Sequence, residues 1–257
     1  MRRAVLATLA TAGLATGLLP TEVSAQVADW TQGWSGQATL YGWFPTITGA
    51  QEGRDGRPIV DLDAEDILKA LDFGFMGTAE VRNGKFGLLL DVVYVDLSQD
   101  GNGLFPQRPN ALRTKVETKL TMFTLASAYR AYDAGQTFVD IYAGARWYDV
   151  DLTFDVRNDR FQFSRDASVD WVDPIVGVRG AIPLSERWTL SGFADIGGFD
   201  GSSDLSWEVY GGANYAFAER WAATIGYRYM SILYEASERA TLDIEVQGPV
   251  LGITYKF

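Results

Sequence analysis

Apolar and aromatic side chains recur at every second position along most of the chain after residue 34. Between Lys85 and Leu97, Phe86, Leu88, Leu90, Val92 and Tyr94 fall on one face; between Leu71 and Arg82, Leu71, Phe73, Phe75, Ala79 and Val81 do the same. A period of two is the pattern of a β-strand, whose successive side chains point to opposite faces. Extended through the chain, it predicts an all-β protein of about ten strands: Gly36–Pro45, Leu71–Arg82, Lys85–Leu97, Val116–Tyr132, Thr137–Leu152, Val172–Ile182, Trp188–Gly198, Leu205–Phe217, Trp221–Tyr234 and Gly248–Phe257. Eight or twelve strands fit the same alternation with shifted boundaries.

The connections divide into two kinds. Tight turns follow the even-numbered strands: Asn83-Gly84, Asp133-Ala134-Gly135, Pro183 to Arg187, and Ala218-Glu219-Arg220. Long segments follow the odd-numbered ones: Thr46 to Ala70, Ser98 to Arg113, and the charged stretch to Asp170. The end of the first long segment, Asp63 to Ala70, reads as a short helix with Asp63 as its N-cap and acids in the first turn. Two tight corners resemble each other, Leu184-Ser185-Glu186-Arg187-Trp188 and Phe217-Ala218-Glu219-Arg220-Trp221. Each sets a Trp at the start of the next strand, where an interfacial aromatic girdle needs one.

In the last strand Leu251, Ile253, Tyr255 and Phe257 share one face, while Gly252, Thr254 and Lys256 share the other. At the other end Arg2 and Arg3 precede the apolar run Ala4 to Leu19, and Val23-Ser24-Ala25 offers a small-residue cleavage site. That is the layout of a secretory signal. The terminal aromatic strand, short turns on one side and long loops on the other resemble the small bacterial outer-membrane β-barrels, with no particular subfamily indicated. The resemblance implies a closed, antiparallel, up-and-down transmembrane barrel in the outer membrane of a Gram-negative bacterium, with the short helix in its first extracellular loop. It also implies that Leu251, Ile253, Tyr255 and Phe257 form the signal read by the barrel-assembly machinery. Outer-membrane lipid and that machinery are then the expected partners of a monomer. The expected organisation is a signal peptide over 1–25, a short periplasmic segment over 26–33 and the barrel over 34–257.

Charge and composition narrow the chemistry. The chain carries 33 acidic and 22 basic residues, a net −11, which becomes −12 when Arg2, Arg3 and Glu22 leave with the signal peptide. Nucleic acid demands a basic face and is not an expected partner. Histidine and cysteine are both absent. Most hydrolytic constellations therefore lack their base or nucleophile, and neither a zinc site nor a disulfide can form. No enzyme activity, cofactor or metal site is expected.

Opposite the apolar faces, the projection gathers Glu80, Arg82, Asp91, Arg130, Asp140, Arg146, Asp173, Arg179, Asp195, Glu208 and Arg228 inside the barrel. A ten-stranded bore is little wider than its side chains can fill, so these charges are expected to pair as a lumen network. Outside, Glu52, Asp55, Asp61, Asp63, Glu65 and Asp66 crowd the first loop, and Asp149, Asp151, Asp155, Asp159, Asp166 and Asp170 the third. Clustered carboxylates can chelate a hard divalent cation, although no calcium-loop spacing is present. The expected function is a structural or surface-interaction role through acidic extracellular loops. A narrow channel for small solutes is the alternative, and a soluble ligand-carrying barrel in the periplasm a third.

Overall fold

The computed structural model describes residues 33–51, 58–102, 113–157, 162–199, 203–237 and 240–257. The expected signal peptide, the segment 26–32, and Glu52, Asp55 and Asp159 of the acidic loops lie outside the described residues. In chain order the elements are β1 (Trp34–Trp43), β2 (Thr46–Gln51), β3 (Pro58–Leu62), α1 (Ala64–Ala70), β4 (Leu71–Asn83), β5 (Phe86–Asn102) and β6 (Arg113–Ala134). They continue with β7 (Thr137–Arg157), β8 (Gln162–Pro183), β9 (Trp188–Gly198), β10 (Leu205–Ala216), β11 (Trp221–Ser237) and β12 (Ala240–Lys256). Leaving out β2 and β3, the strands pair antiparallel with their chain neighbours, and β1 pairs with β12 to close a ten-stranded barrel. The seam is fixed by its register: Ala38 faces Tyr255, Leu40 faces Ile253 and Trp43 faces Val250.

Two expectations about the connections change. The first long segment is not simply loop and helix: β2 pairs with the far part of β12, Thr46 opposite Gln247 and Gln51 opposite Leu242, and β3 pairs with β2. The second and third long segments are largely strand, with β5 running to Asn102, β7 to Arg157 and β8 starting at Gln162. Charge marked these stretches as loops, yet their alternation persists. Asp149, Asp151 and Asp155 share one face of β7 while Val150, Leu152, Phe154 and Val156 share the other. In water a strand accepts an acidic face as readily as an apolar one, so charge alone does not end it.

The two tightest turns also shift by one residue. Asn83 pairs with Phe86 and Ala134 with Thr137, so the central residues are Gly84-Lys85 and Gly135-Gln136. Gly84 (φ 56°) and Gly135 (φ 74°) are left-handed, and the residue after each is not. A glycine with positive φ at the first central position is the type II′ hairpin turn, whose twist suits the flanking strands.

The outer surface carries an apolar belt between two aromatic girdles. At the short-turn end Phe86 packs on Tyr129, Trp188 on Tyr215, and Trp221 on Tyr255. Towards the other end Phe73 packs on Tyr94 and Trp207 on Tyr229. From Trp221 to Tyr229 is about nine residues, the length an obliquely tilted strand needs to cross a hydrocarbon core. Leu40, Ile225 and Ile253, each more than half exposed, sit in that belt. Helix α1 starts as expected, with the Asp63 side chain accepting from the Asp66 N–H at 2.9 Å.

Candidate functional site

The bore is filled in layers. Nearest the short turns, Asp140 on β7 is fully buried and is surrounded by three guanidinium groups. Arg82 Nη2 lies 2.5 Å and Arg130 Nε 2.6 Å from its carboxylate, and Arg179 approaches to 3.0 Å. Arg82 and Arg179 also share Glu80, at 3.0 and 2.5 Å, and Gln37 donates to its second oxygen at 3.0 Å. The Arg130 guanidinium sits 4.0 Å from the Phe138 ring centroid. On the far side of this layer the groups are neutral: Asn214 donates to Ser191 (2.7 Å) and accepts from Thr224 (2.7 Å), and Thr39 meets Thr254 at 2.8 Å.

A second layer crosses the middle of the bore. Arg146 on β7 holds Asp195 through two parallel bonds of 3.1 and 2.9 Å and reaches Glu208 at 2.7 Å. Its Nε donates to Thr124 at 3.0 Å. Arg228 on β11 pairs with Glu208 through Nε and with Asp91 on β5 at 2.8 Å, and donates to the Tyr41 hydroxyl at 2.7 Å. Tyr41 in turn donates to Asp91 at 2.7 Å, and Tyr142 to Asp195 at 2.8 Å. Forked guanidinium–carboxylate pairing of this kind is strong because both groups are planar and the geometry is shared. Strands β11 and β5 lie on nearly opposite sides of the ten-strand ring. A contact between them therefore spans the bore at that level.

All eleven inward-projected charges thus point into the lumen, and ten of them form ion pairs. Asp173 does not: fully buried, it accepts from the Ser203 N–H (3.1 Å) and the Ser203 hydroxyl (2.7 Å), and so pins the β9–β10 connection to β8. Sequence alternation had no means of finding Ser203, which lies outside any strand. Tyr41, Thr124 and Tyr142 were legible as inward positions, but their polar role appears only with their partners.

The charged network does not fill the whole bore. Beyond the second charged layer the interior is apolar: Trp43, Val93, Met122, Tyr148, Met230, Ile232 and Val250 form one buried cluster, with Trp171 stacked on Tyr148 at 4.6 Å. Here the polarity of the wall reverses. The inward face of β6–β8 carries Val116, Leu152, Phe154, Phe163 and Val169, whereas the outward face carries Lys115, Glu117, Asp151 and Asp166. The reversal follows from the surroundings: lipid contacts the outside of the wall only within the belt, and above it the outer face meets water. Among the described residues no three carboxylates converge on a metal position.

No protein-family model and no curated protein matches the chain. Solved structures do. The outer-membrane protease OmpT from Escherichia coli aligns with a TM-score of 0.53 at 9% identity, over 87% of this chain and 97% of its own. The translocator domain of the autotransporter NalP from Neisseria meningitidis aligns at 0.43 and 11% identity, over 88% of each chain. Ail, the attachment invasion locus protein of Yersinia pestis, aligns at 0.40 and 11% identity, over 88% of this chain and 99% of its own. The likeness to OmpT is one of fold. The protein has the fold of the outer-membrane β-barrels, in a ten-stranded form with an added hairpin.

Proposed function

We propose that this is a monomeric outer-membrane protein with a sealed bore, whose role is structural and surface-directed rather than transporting or catalytic. The observation that carries the reading is the mid-bore network, in which Arg228 ties β10 and β11 to Asp91 on β5 across the ring. A bore crossed by two ion-paired layers stiffens the wall and leaves the strands beyond the belt as the part free to meet other molecules. The acid-rich outer face of β7 and β8 is that part. The chain has no histidine or cysteine, and ten of the eleven charged groups projected into the bore are committed to ion pairs, with Asp173 held by Ser203.

In this reading residues 1–25 are removed on export, 26–33 stay in the periplasm, and the long connections face outside. Leu251, Ile253, Tyr255 and Phe257 act as the assembly signal. Reconstitution into planar bilayers tests the core of the proposal. The wild-type protein is expected to give no discrete current steps; regular single-channel steps would overturn the sealed bore and favour a narrow solute channel instead.

A further inference from the structure

Above the belt the wall is uneven. β9 ends at Gly198 and β10 begins at Leu205, and the connection between them is fastened to Asp173 of β8 through Ser203. β8 itself continues to Gln162, paired with β7 the whole way. On its other side β9 pairs only with residues Ile175 to Pro183. Among the described residues, 162–170 therefore have no strand on their second side, and each of those side chains is exposed. A strand in that state offers a row of backbone donors and acceptors to an incoming chain.

The side chains along this edge alternate in kind. Phe163, Arg165, Ala167 and Val169 face the barrel mouth; Ser164, Asp166, Ser168 and Asp170 face outward. Behind the outward set stand Asp149, Asp151 and Asp155 of β7, with Asp149 directly opposite Asp170. We propose that this edge of β8 docks an extended segment of a partner protein, which adds to the sheet as a further strand. The segment that fits alternates apolar residues, set against Phe163, Ala167 and Val169, with lysines or arginines set against Asp166 and Asp170. An acidic residue fits opposite Arg165. Main-chain bonds supply affinity in this mode, and the alternating side chains supply selectivity.

Other occupants match less of what is there. Anionic lipid phosphate meets a repelling acidic face and has no backbone to pair. A second copy of this chain, edge to edge, brings Asp166 and Asp170 against the same row, and like charges facing each other across a sheet oppose pairing. A basic, extended partner segment satisfies the backbone, the apolar face and the charge together.

This inference rests on the surface-directed reading above, and its test keeps the two separable. The mature protein, folded in detergent micelles, is titrated with a synthetic peptide of about nine residues alternating valine and lysine, a length that matches the free edge. Amide hydrogen exchange is followed along β8. Binding is expected to protect amides within 162–170, to weaken at least tenfold in the Asp166→Lys, Asp170→Lys double variant, and to recover there with a valine–glutamate peptide. A peptide N-methylated at alternate positions is expected not to bind. Equal binding of the N-methylated peptide, protection confined to another strand, or indifference to the charge reversal would each overturn the proposal. Bilayer current is recorded on the same preparation. A silent barrel that ignores the peptide defeats only the docking edge, and a conducting barrel that binds it defeats only the sealed bore.

Discussion

Arg228 shows how much a single side chain does here. It is 3% exposed and serves Glu208, Asp91 and Tyr41, and its guanidinium lies 4.8 Å from the Trp43 ring centroid. Buried ion pairs owe their energetic weight to what remains when one partner goes. Truncation to alanine leaves Asp91 with only the Tyr41 hydroxyl and Glu208 with only Arg146, and Arg228→Ala is expected to destabilise the barrel by about 3–5 kcal/mol. Equilibrium unfolding in detergent or lipid checks this. If the bore were hydrated, water would screen the same charges and the loss would be ~0–1 kcal/mol, accompanied by a cation-selective current. On the outer wall the logic inverts. Ile225 is 57% exposed within the apolar belt, and Leu90 lies on the same face of β5 as Phe86 and Leu88. Arginine at either position is expected to cost about 2–4 kcal/mol, because the charge enters hydrocarbon. Thr224, whose hydroxyl donates to Asn214 inside, should accept serine with little change in the same unfolding experiment.

At the scale of elements, the seam between β1 and β12 decides whether the sheet becomes a barrel. The last residue takes part in it: Phe257 donates to the Gly36 carbonyl at 2.9 Å and accepts from the Gly36 N–H at 3.0 Å. The phenyl ring lies over Gly36, where an added Cβ would fall 2.3 Å from Cε2. Gly36→Val is therefore expected to push the ring off the seam, and deleting Phe257 removes both the ring and the final pair of bonds. Both changes should lower the yield of assembled barrel in membranes more than they lower the unfolding midpoint of protein already assembled. Equal losses in the two measurements would mean that Phe257 acts through the stability of the finished seam and not in assembly.

For the whole molecule, closure matters more than any one contact. Every strand of the wall has two neighbours within the belt, so no backbone edge faces lipid. The mature chain, starting at Gln26, is expected in the outer-membrane fraction, with slower electrophoretic migration after boiling than before. Recovery from the soluble periplasm would favour the ligand-carrying alternative. Above the belt closure is incomplete: β8 outruns β9, and β2 and β3 extend the sheet beyond β12 on the other flank.

Which residues share a face was readable from alternation, because a period of two assigns each residue to a face without any knowledge of its neighbours; the closed strand order and its seam came from the resemblance to outer-membrane barrels. Asp91, Asp195 and Arg228 could be placed inside by counting along their own strands. Which of them meet could not, since Arg228 and Asp91 are 137 residues apart and come together only across a closed ring. The same limit explains the apolar upper bore. Leu152 and Phe154 alternate as regularly as Ile141 does, but whether an apolar face looks at lipid or at the barrel axis depends on where the membrane ends along that strand. β2 illustrates the limit most simply: Thr46 to Gln51 become a strand only because β12 extends far enough to pair with them. Local periodicity sets which side a residue takes. The tertiary structure decides what is waiting there, because burial and pairing depend on chains that are distant in sequence.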